Sequence, residues 1–273
     1  MIETLAKNLV NLKKEFASLY DGHSQIQEVI PISKSELFPI EQQDLELLHR
    51  FAAKNPIYYN SYEKVIGCTS CIVYEGDINK YWLSSIQHGS SHAPFSPTWI
   101  MSAYVGALLA KKLGYLEVID IGSGDGRIAF CGKVIDMESY SVEIDDMLVD
   151  LQKFLCSTLD YNPRCSDAGI FDYSSLNLKQ PIFFIGGLAQ MGGVSLASEV
   201  LEKINSISDL WSNSGWVFAG TLSQKYAPDP KNEAGWGTLI EKNNLKSIQS
   251  ISLPTAWTFH ESDDAPYIFA QPN

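Results

Sequence analysis

The residues with the clearest chemical potential lie close together in the chain, between Asp120 and Glu143. Three glycines, Gly122, Gly124 and Gly126, follow a short apolar run that is rich in β-branched residues. Glycine allows positive φ angles and lets the backbone approach a ligand closely. A buried strand that enters such a turn and continues into a helix therefore predicts a loop that holds a ligand.

An acidic residue ends the next predicted strand. Tyr140–Val142 is a short β-rich run, and Glu143 follows it, 19 residues after Gly124. In doubly wound α/β folds, an acid about 20 residues after the glycines accepts hydrogen bonds from the hydroxyl groups of a ribose. The spacing therefore predicts a site for a nucleoside.

The glycines also allow two other interpretations, an NAD-binding loop and a turn without a catalytic role. Gly124–Ala129 also fits the G-x-G-x-x-G/A pattern of NAD-binding folds, which would make the protein an oxidoreductase. Asp120 argues against this, because the pyrophosphate of NAD is anionic and its strand is apolar up to the first glycine. A glycine-rich turn in a non-catalytic binding module would require neither Asp120 nor Glu143.

The acids and glycines together resemble motif I, and the acidic strand end after it, of class I seven-strand S-adenosylmethionine-dependent methyltransferases. The resemblance implies S-adenosyl-L-methionine as cofactor, because its sulfonium and ammonium groups suit acidic neighbours. Asp167-Ala168, after a third strand, resembles the Asp-Ala pair that contacts adenine in many class I enzymes. The cofactor-binding residues so implied are Asp120, Gly122, Ser123, Gly124, Asp125, Gly126, Glu143, Ile144, Asp167 and Ala168.

A narrower resemblance concerns the segment Ile121–Arg127, IGSGDGR, with PTWIM upstream and VEID downstream. It is similar to the DLGSGDGR segment of seven-strand protein-lysine methyltransferases, including the type that modifies the ATP-synthase c-subunit. The similarity covers only about residues 94–170, so it implies the cofactor residues and not the family's substrate. We expect a protein lysine as the methyl acceptor, with a small molecule as the alternative.

The elements that position these residues alternate between strand and helix from Tyr115 onward. The last two predicted strands, Ser247–Leu253 and Tyr267–Gln271, are joined without a helix and must pair antiparallel. The pattern predicts a doubly wound α/β fold with a mainly parallel seven-strand sheet and an antiparallel last strand. This arrangement is also that of the class I methyltransferases.

The N-terminal part shows helical periodicity. Apolar residues at intervals of three and four predict helices over residues 2–20 and 41–54, while the aromatic-rich residues 57–88 have no clear period. We therefore predict a mostly helical N-terminal cap, residues 1–93, and a methyltransferase domain, residues 94–273. A further helix is predicted from Pro97 to Lys112.

Two loops form the predicted acceptor pocket. In class I methyltransferases, a helix precedes motif I, and the loop before that helix often closes over the methionine end of the cofactor. The resemblance therefore implies that His92 and Phe95 line the acceptor pocket. After the fourth strand, Gly186 and Gly187 stand where amino-methylating nucleic-acid enzymes carry Asp/Asn-Pro-Pro-Tyr/Phe, so base N-methylation is not expected. Because the sulfonium is an excellent leaving group, alignment and desolvation can supply most of the catalysis. No catalytic residue is predicted.

The amino-acid composition limits which classes of partner the protein is expected to bind. The net charge is −12, from 20 basic and 32 acidic residues, and the acidic excess lies mainly in residues 96–273. Such a surface repels phosphate backbones, so we expect no nucleic-acid partner. No apolar run reaches membrane-spanning length and the N-terminus has no signal-peptide core, which predicts no membrane partner and a cytoplasmic location. The lone CxxC, Cys68 to Cys71, lacks a second pair, so no metal is predicted.

Overall fold

The computed structural model describes residues 2–77, 97–157, 159, 163–186, 193–219, 235–255 and 264–273. Within these ranges the chain forms two sheets. A three-stranded antiparallel sheet lies in the N-terminal region, and a seven-stranded sheet contains the predicted site. None of the helices in these ranges combines the length and the apolar character that crossing a membrane requires.

The N-terminal region alternates helices and strands. Its elements are α1 (Ile2–Leu19), β1 (Ile26–Pro31), α2 (Gln42–Lys54), β2 (Tyr58–Ile66) and β3 (Thr69–Gly76). The strand order is β1-β3-β2, and both pairs are antiparallel. Helices α1 and α2 bury the apolar residues whose spacing predicted them, among them Leu9, Phe16, Leu45 and Leu48.

The two predicted N-terminal helices are confirmed, but the description of this region as mostly helical needs correction. The described part of the segment of unclear period, residues 57–77, contains the hairpin β2–β3, which turns at Gly67, whose φ is 57°. Strand β2 is an edge strand, with Tyr59 and Val65 exposed to solvent. Its sequence therefore lacks the alternation of apolar and polar residues that reveals a half-buried strand. Strand β1 was also missed.

The rest of the chain forms the larger sheet and its helices. These elements are α3 (Ile100–Lys112), β4 (Glu117–Ile121), α4 (Arg127–Val134), β5 (Glu138–Glu143), α5 (Asp146–Leu155), β6 (Arg164–Cys165), a 3-10 helix (Tyr173–Leu176), β7 (Pro181–Ile185), α6 (Gly193–Asn205), α7 (Ser208–Asn213), β8 (Gly215–Ala219), α8 (Gly237–Lys242), β9 (Leu245–Pro254) and β10 (Asp264–Pro272). Helix α3 begins at Ile100, with Trp99 as its N-cap, and not at Pro97 as predicted.

The strand order of the larger sheet is β6-β5-β4-β7-β8-β10-β9. The first five strands in this order pair in parallel, and β10 runs antiparallel to both β8 and β9. Every residue of β4, β7 and β8 is buried, which explains their continuous apolar sequences. The predicted fold class, a mainly parallel seven-strand sheet with an antiparallel last strand, is confirmed.

Two hydrophobic clusters cover the faces of this sheet. The larger one joins α1, α2 and the N-terminal strands to α3, α4 and one face, and the smaller one packs α6 and the 3-10 helix on the other face. The N-terminal region therefore shares a continuous core with the larger sheet. The predicted domain boundary at residues 93 and 94 lies outside the described residues, and it stays a prediction.

Candidate functional site

The predicted cofactor residues lie along one edge of the larger sheet. Strands β6, β5, β4 and β7 are neighbours and parallel, so their carboxyl ends lie side by side. After these ends come, in the same order, Asp167-Ala168, Glu143, the residues Gly122–Gly126, and Gly186. In open α/β sheets, ligands bind at this carboxyl edge, where the order of the strands reverses. We call Gly122–Gly126 the glycine turn.

The backbone of the glycine turn requires its glycines. Gly122, Gly124 and Gly126 have φ angles of 60°, 56° and 77°, in the left-handed region that L side chains rarely adopt. A Cβ atom on Gly126 would also lie 2.9 Å from Cγ of Gln152. The turn is thus held by both its backbone conformation and the close approach of a neighbouring helix.

Glu143 lies at the end of β5 and accepts hydrogen bonds from three backbone amides. Its Oε2 accepts from the N–H of Gly124 at 2.7 Å, and its Oε1 accepts from Ile144 at 2.9 Å and Asp145 at 3.0 Å. Burial raises the pKa of Glu143, and these hydrogen bonds oppose the rise. A carboxylate oxygen can accept two hydrogen bonds, so Oε2 has capacity for a ligand hydroxyl.

Two carboxylates face the first turn of α4. Asp120 accepts a hydrogen bond from the N–H of Ala129 at 3.3 Å, and Asp125 accepts one from the N–H of Arg127 at 3.4 Å. Both side chains are buried, with exposures of 2% and 1%. Burial raises the pKa of Asp120 well above its usual range. The helix end that binds phosphate in dinucleotide-binding folds is thus occupied by the protein's own acids.

Gln152, on α5, supports the glycine turn from one side. Its Nε2 donates to the hydroxyl of Ser123 at 2.9 Å and to the carbonyl of Gly124 at 2.7 Å, while its Oε1 accepts from Ser141 at 2.6 Å. Gln152 was not among the residues predicted from the sequence. Gln152 lies between Leu151 and Leu155 on the buried face of α5. A polar residue at such a position is the sequence signal that could have identified it.

The N-terminal region contacts the turn from another side, through buried charges. Arg127 donates from Nε and Nη2 to Asp125, at 2.9 and 2.5 Å, and from Nη1 to Glu28 on β1 at 2.6 Å. Asn55, after α2, donates to Asp125 at 2.8 Å, and Tyr58 donates to Glu28 at 2.9 Å. We call these five residues the Arg127 network. Of them, sequence analysis had singled out Asp125 alone.

The remaining predicted residues are placed less uniformly. Oδ1 of Asp167 accepts a hydrogen bond from Gly169 at 2.8 Å, and the buried Ala168 accepts one at its carbonyl from Tyr173 at 2.9 Å. Gly186 is half-buried at the end of β7, and a Cβ atom there would lie 3.8 Å from Oγ1 of Thr98. The predicted pocket residues His92, Phe95 and Gly187 lie outside the described residues.

Neither a protein-family model nor a curated protein sequence matches this chain. Among solved structures, a magnesium protoporphyrin IX methyltransferase from Synechocystis, with bound S-adenosylmethionine, is similar over 73% of this chain and 86% of its own, at 13% identity and a TM-score of 0.45. A ribosomal protein L11 methylase from Lactobacillus delbrueckii is similar over 63% and 77%, at 11% identity and a TM-score of 0.43.

A tRNA (uracil-54, C5)-methyltransferase from Pyrococcus abyssi, in complex with S-adenosylhomocysteine, is similar over 61% of this chain and 37% of its own. Its identity is 8% and its TM-score 0.44. These three proteins are named for a porphyrin, a protein and a tRNA. With identities this low and TM-scores below 0.5, the assignment of function depends on the chain's own residues.

Proposed function

We propose that this protein is an S-adenosylmethionine-dependent methyltransferase. The observation that carries the proposal is the set of buried acids around the glycine turn, with Asp120 at the first turn of α4 and Glu143 at the end of β5. The third acid, Asp125, is already paired with Arg127. A cation is the ligand that best offsets buried carboxylates. S-adenosylmethionine has a sulfonium and an ammonium group, and it has no phosphate.

The order of residues along the carboxyl edge gives the orientation that we propose for this cofactor. Asp167-Ala168 would contact the adenine, Glu143 would accept hydrogen bonds from the ribose hydroxyls, and the glycine turn would lie beside the methionine portion. Gly186, at the end of β7, would then border the methyl group and its acceptor. These roles come from the resemblance to class I methyltransferases, and the adjacency of β6, β5, β4 and β7 supports them.

The same geometry disfavours NAD. A dinucleotide places its pyrophosphate against free N–H groups at the start of the helix after the glycines. In this protein the N–H groups of Arg127 and Ala129 point at carboxylates instead. Because these carboxylates occupy the N–H groups that a pyrophosphate would need, an anionic ligand would have to displace Asp120 and Asp125.

The cofactor would supply a methyl group on a positively charged sulfur: a lone pair of the acceptor would attack the methyl carbon in line, the carbon–sulfur bond would break, and the sulfur would leave as a neutral thioether. The protein's part is to align the two reactants and to exclude water between them. The glycine turn contributes a rigid backbone, because Glu143 and Gln152 hold Gly124 from both its N–H and its carbonyl. A dedicated acid or base is not required for this transfer.

We propose a lysine side chain of a protein as the acceptor. Support comes from the IGSGDGR segment and from the net charge of −12, which favours a basic partner over nucleic acid. A small molecule is the second candidate, because class I folds accommodate both kinds of acceptor. A cytoplasmic location remains a prediction from the sequence.

The test is transfer of label from S-adenosylmethionine carrying a radioactive methyl group into a cell extract. We expect a discrete protein band, with methyl-lysine recovered after acid hydrolysis. Gly124→Arg should abolish the labelling, because a side chain at a φ of 56° would strain the turn and fill the site. Gly114→Arg is the matched control, since Gly114 also has positive φ but a Cβ atom there meets nothing within 4 Å.

Label in another fraction would change the conclusion. Label only among small molecules would support the metabolite acceptor and contradict the protein acceptor. Label in the RNA fraction would contradict the exclusion of nucleic acid. An absence of label in every fraction, from a folded protein, would count against the methyltransferase proposal itself.

A further inference from the structure

The glycine turn is held on two sides by different parts of the chain. Glu143 lies on β5 and Gln152 on α5, the second and third elements after the turn. Glu28 and Asn55 belong to the N-terminal region, 99 and 70 residues away from their partners in sequence. The turn is therefore contacted by the N-terminal region as well as by the β/α units that follow it.

The contacts from the N-terminal region reach the turn itself. Asp125 is a residue of the glycine turn, and both of its carboxylate oxygens are bound: Oδ1 by Arg127, and Oδ2 by Arg127 and Asn55. The hydrogen bonds between Arg127 and Asp125 span Gly126, whose φ is in the left-handed region, so they constrain the backbone at the end of the turn. Asn55 contacts the Asp125 side of this pair, and Glu28 contacts the Arg127 side.

Glu28 connects this contact to a third element. Its Oε1 accepts from Arg127 and Tyr58, and its Oε2 accepts from the backbone N–H of Ile100 at 3.0 Å. Ile100 is the first residue of α3, which precedes the strand leading to the turn. Glu28 has an exposure of 0%, so its contacts are not weakened by water.

We propose that Glu28 and Asn55 are positioning residues for the cofactor, acting on the glycine turn through Arg127 and Asp125. The N-terminal region is then a part of the cofactor site and not a separable cap. The inference rests on the proposed function, because the turn is taken to bind S-adenosylmethionine. A pre-organised turn binds more tightly because the ligand does not have to order it.

The test compares cofactor affinity with stability in three variants. Glu28→Gln removes the charge facing Arg127, and Asn55→Ala removes the amide facing Asp125. The control is Tyr104→Phe, which removes a partly buried hydrogen bond of 2.6 Å from Tyr104 on α3 to Asp44 on α2 and leaves the turn untouched. The dissociation constant of S-adenosylhomocysteine is measured by calorimetry at a fixed interval below each variant's melting temperature.

We expect both network variants to bind S-adenosylhomocysteine about tenfold more weakly, and the control to change by less than about twofold. Equal affinity in all three variants, together with lowered melting temperatures, would overturn the inference and leave these residues a structural role alone. A wild-type protein that binds no S-adenosylhomocysteine would instead contradict the proposed function.

Hydrogen exchange of the wild-type protein covers the case in which the variants do not fold. The N–H of Ile57 donates to Oδ1 of Asn55, so it reports on the order of that side chain. Addition of S-adenosylhomocysteine should slow exchange at Ile57 and in β1. Protection confined to β4, β5 and the glycine turn would overturn the inference.

Discussion

The two sides that hold the glycine turn differ in kind. On the α5 side, Gln152 makes neutral hydrogen bonds to the turn and to Ser141 on the neighbouring strand. On the N-terminal side, one guanidinium lies between the carboxylates of Glu28 and Asp125, and all three side chains are buried. Neutral contacts tolerate the loss of one partner better than buried charges do. A single substitution should therefore destabilise the protein more on the N-terminal side than on the α5 side.

Arg127→Met should give the largest loss of stability, because it leaves Glu28 and Asp125 buried without their cation. We expect the free energy of unfolding to fall by about 3–5 kcal/mol. Lys153→Met is the control, since Lys153 pairs with Asp150 at 2.9 Å on the surface and its loss should cost less than about 1 kcal/mol. Urea denaturation measures both. Similar losses in the two variants would remove the contrast between the sides.

Gly126→Ala should give the next largest loss of stability, because the added Cβ atom combines backbone strain with an overlap on Gln152. We expect a loss of about 2–4 kcal/mol from the two effects together. Gly114→Ala separates them, since its φ of 96° causes strain while a Cβ atom there meets nothing within 4 Å. Thermal unfolding should show a larger decrease for Gly126→Ala. Equal decreases would mean that Gln152 moves aside without cost.

Gln152→Leu tests the neutral hydrogen bonds that α5 makes to the glycine turn. The substitution leaves the hydroxyls of Ser123 and Ser141 and the carbonyl of Gly124 without this partner, which should cost about 1–3 kcal/mol. Asn213→Leu is the control, because its amide bonds the carbonyl of Asp209 at an exposed position. A loss in Gln152→Leu that exceeds the loss in Arg127→Met would reverse the ranking of the two sides.

The titration of Glu28 should contribute to the pH dependence of the free energy of unfolding. Burial raises the pKa of Glu28 from 4.5 to about 7, although Arg127 opposes the rise. Because the folded protein then binds the extra proton, the free energy of unfolding should fall as pH rises from about 4.5 to about 7. Asp120 and Glu143, whose pKa values burial also raises, contribute a slope of the same sign.

Glu28→Gln should therefore flatten this slope without abolishing it. Glu138→Gln is the matched control, because Glu138 is exposed and pairs only with Lys133 among the contacts described for it. Chemical denaturation across that pH interval measures the slope for each protein. A wild-type slope in Glu28→Gln would mean that Glu28 stays ionised throughout, held by Arg127.

The larger sheet could be predicted from sequence because its strands β4, β7 and β8 are buried on both faces. Runs such as Pro181–Ile185 are continuously apolar, and the glycines of the turn identify the strand before them. The N-terminal sheet could not be predicted in this way. Its edge strand β2 is largely exposed, and β1 places Glu28 and Gln27 in a fully buried strand, so neither follows the usual pattern.

The Arg127 network was missed for a related reason. No local pattern links Arg127 to Glu28, because 99 residues separate them and the pairing exists only in the folded chain. One signal was present. A basic residue at the start of a helix opposes the helix dipole, which indicates that an acidic partner lies nearby. Asp125 supplies one such partner, and Glu28 supplies the other.

The most direct test of the central claim is calorimetric titration of the purified protein with S-adenosylhomocysteine and with NAD. The buried acids at the first turn of α4 predict binding of S-adenosylhomocysteine and none of NAD. Glu143→Ala should weaken S-adenosylhomocysteine by about 1–3 kcal/mol, the effect of losing a charge-assisted hydrogen bond to the ribose. Tight binding of NAD with no response to S-adenosylhomocysteine would contradict the account.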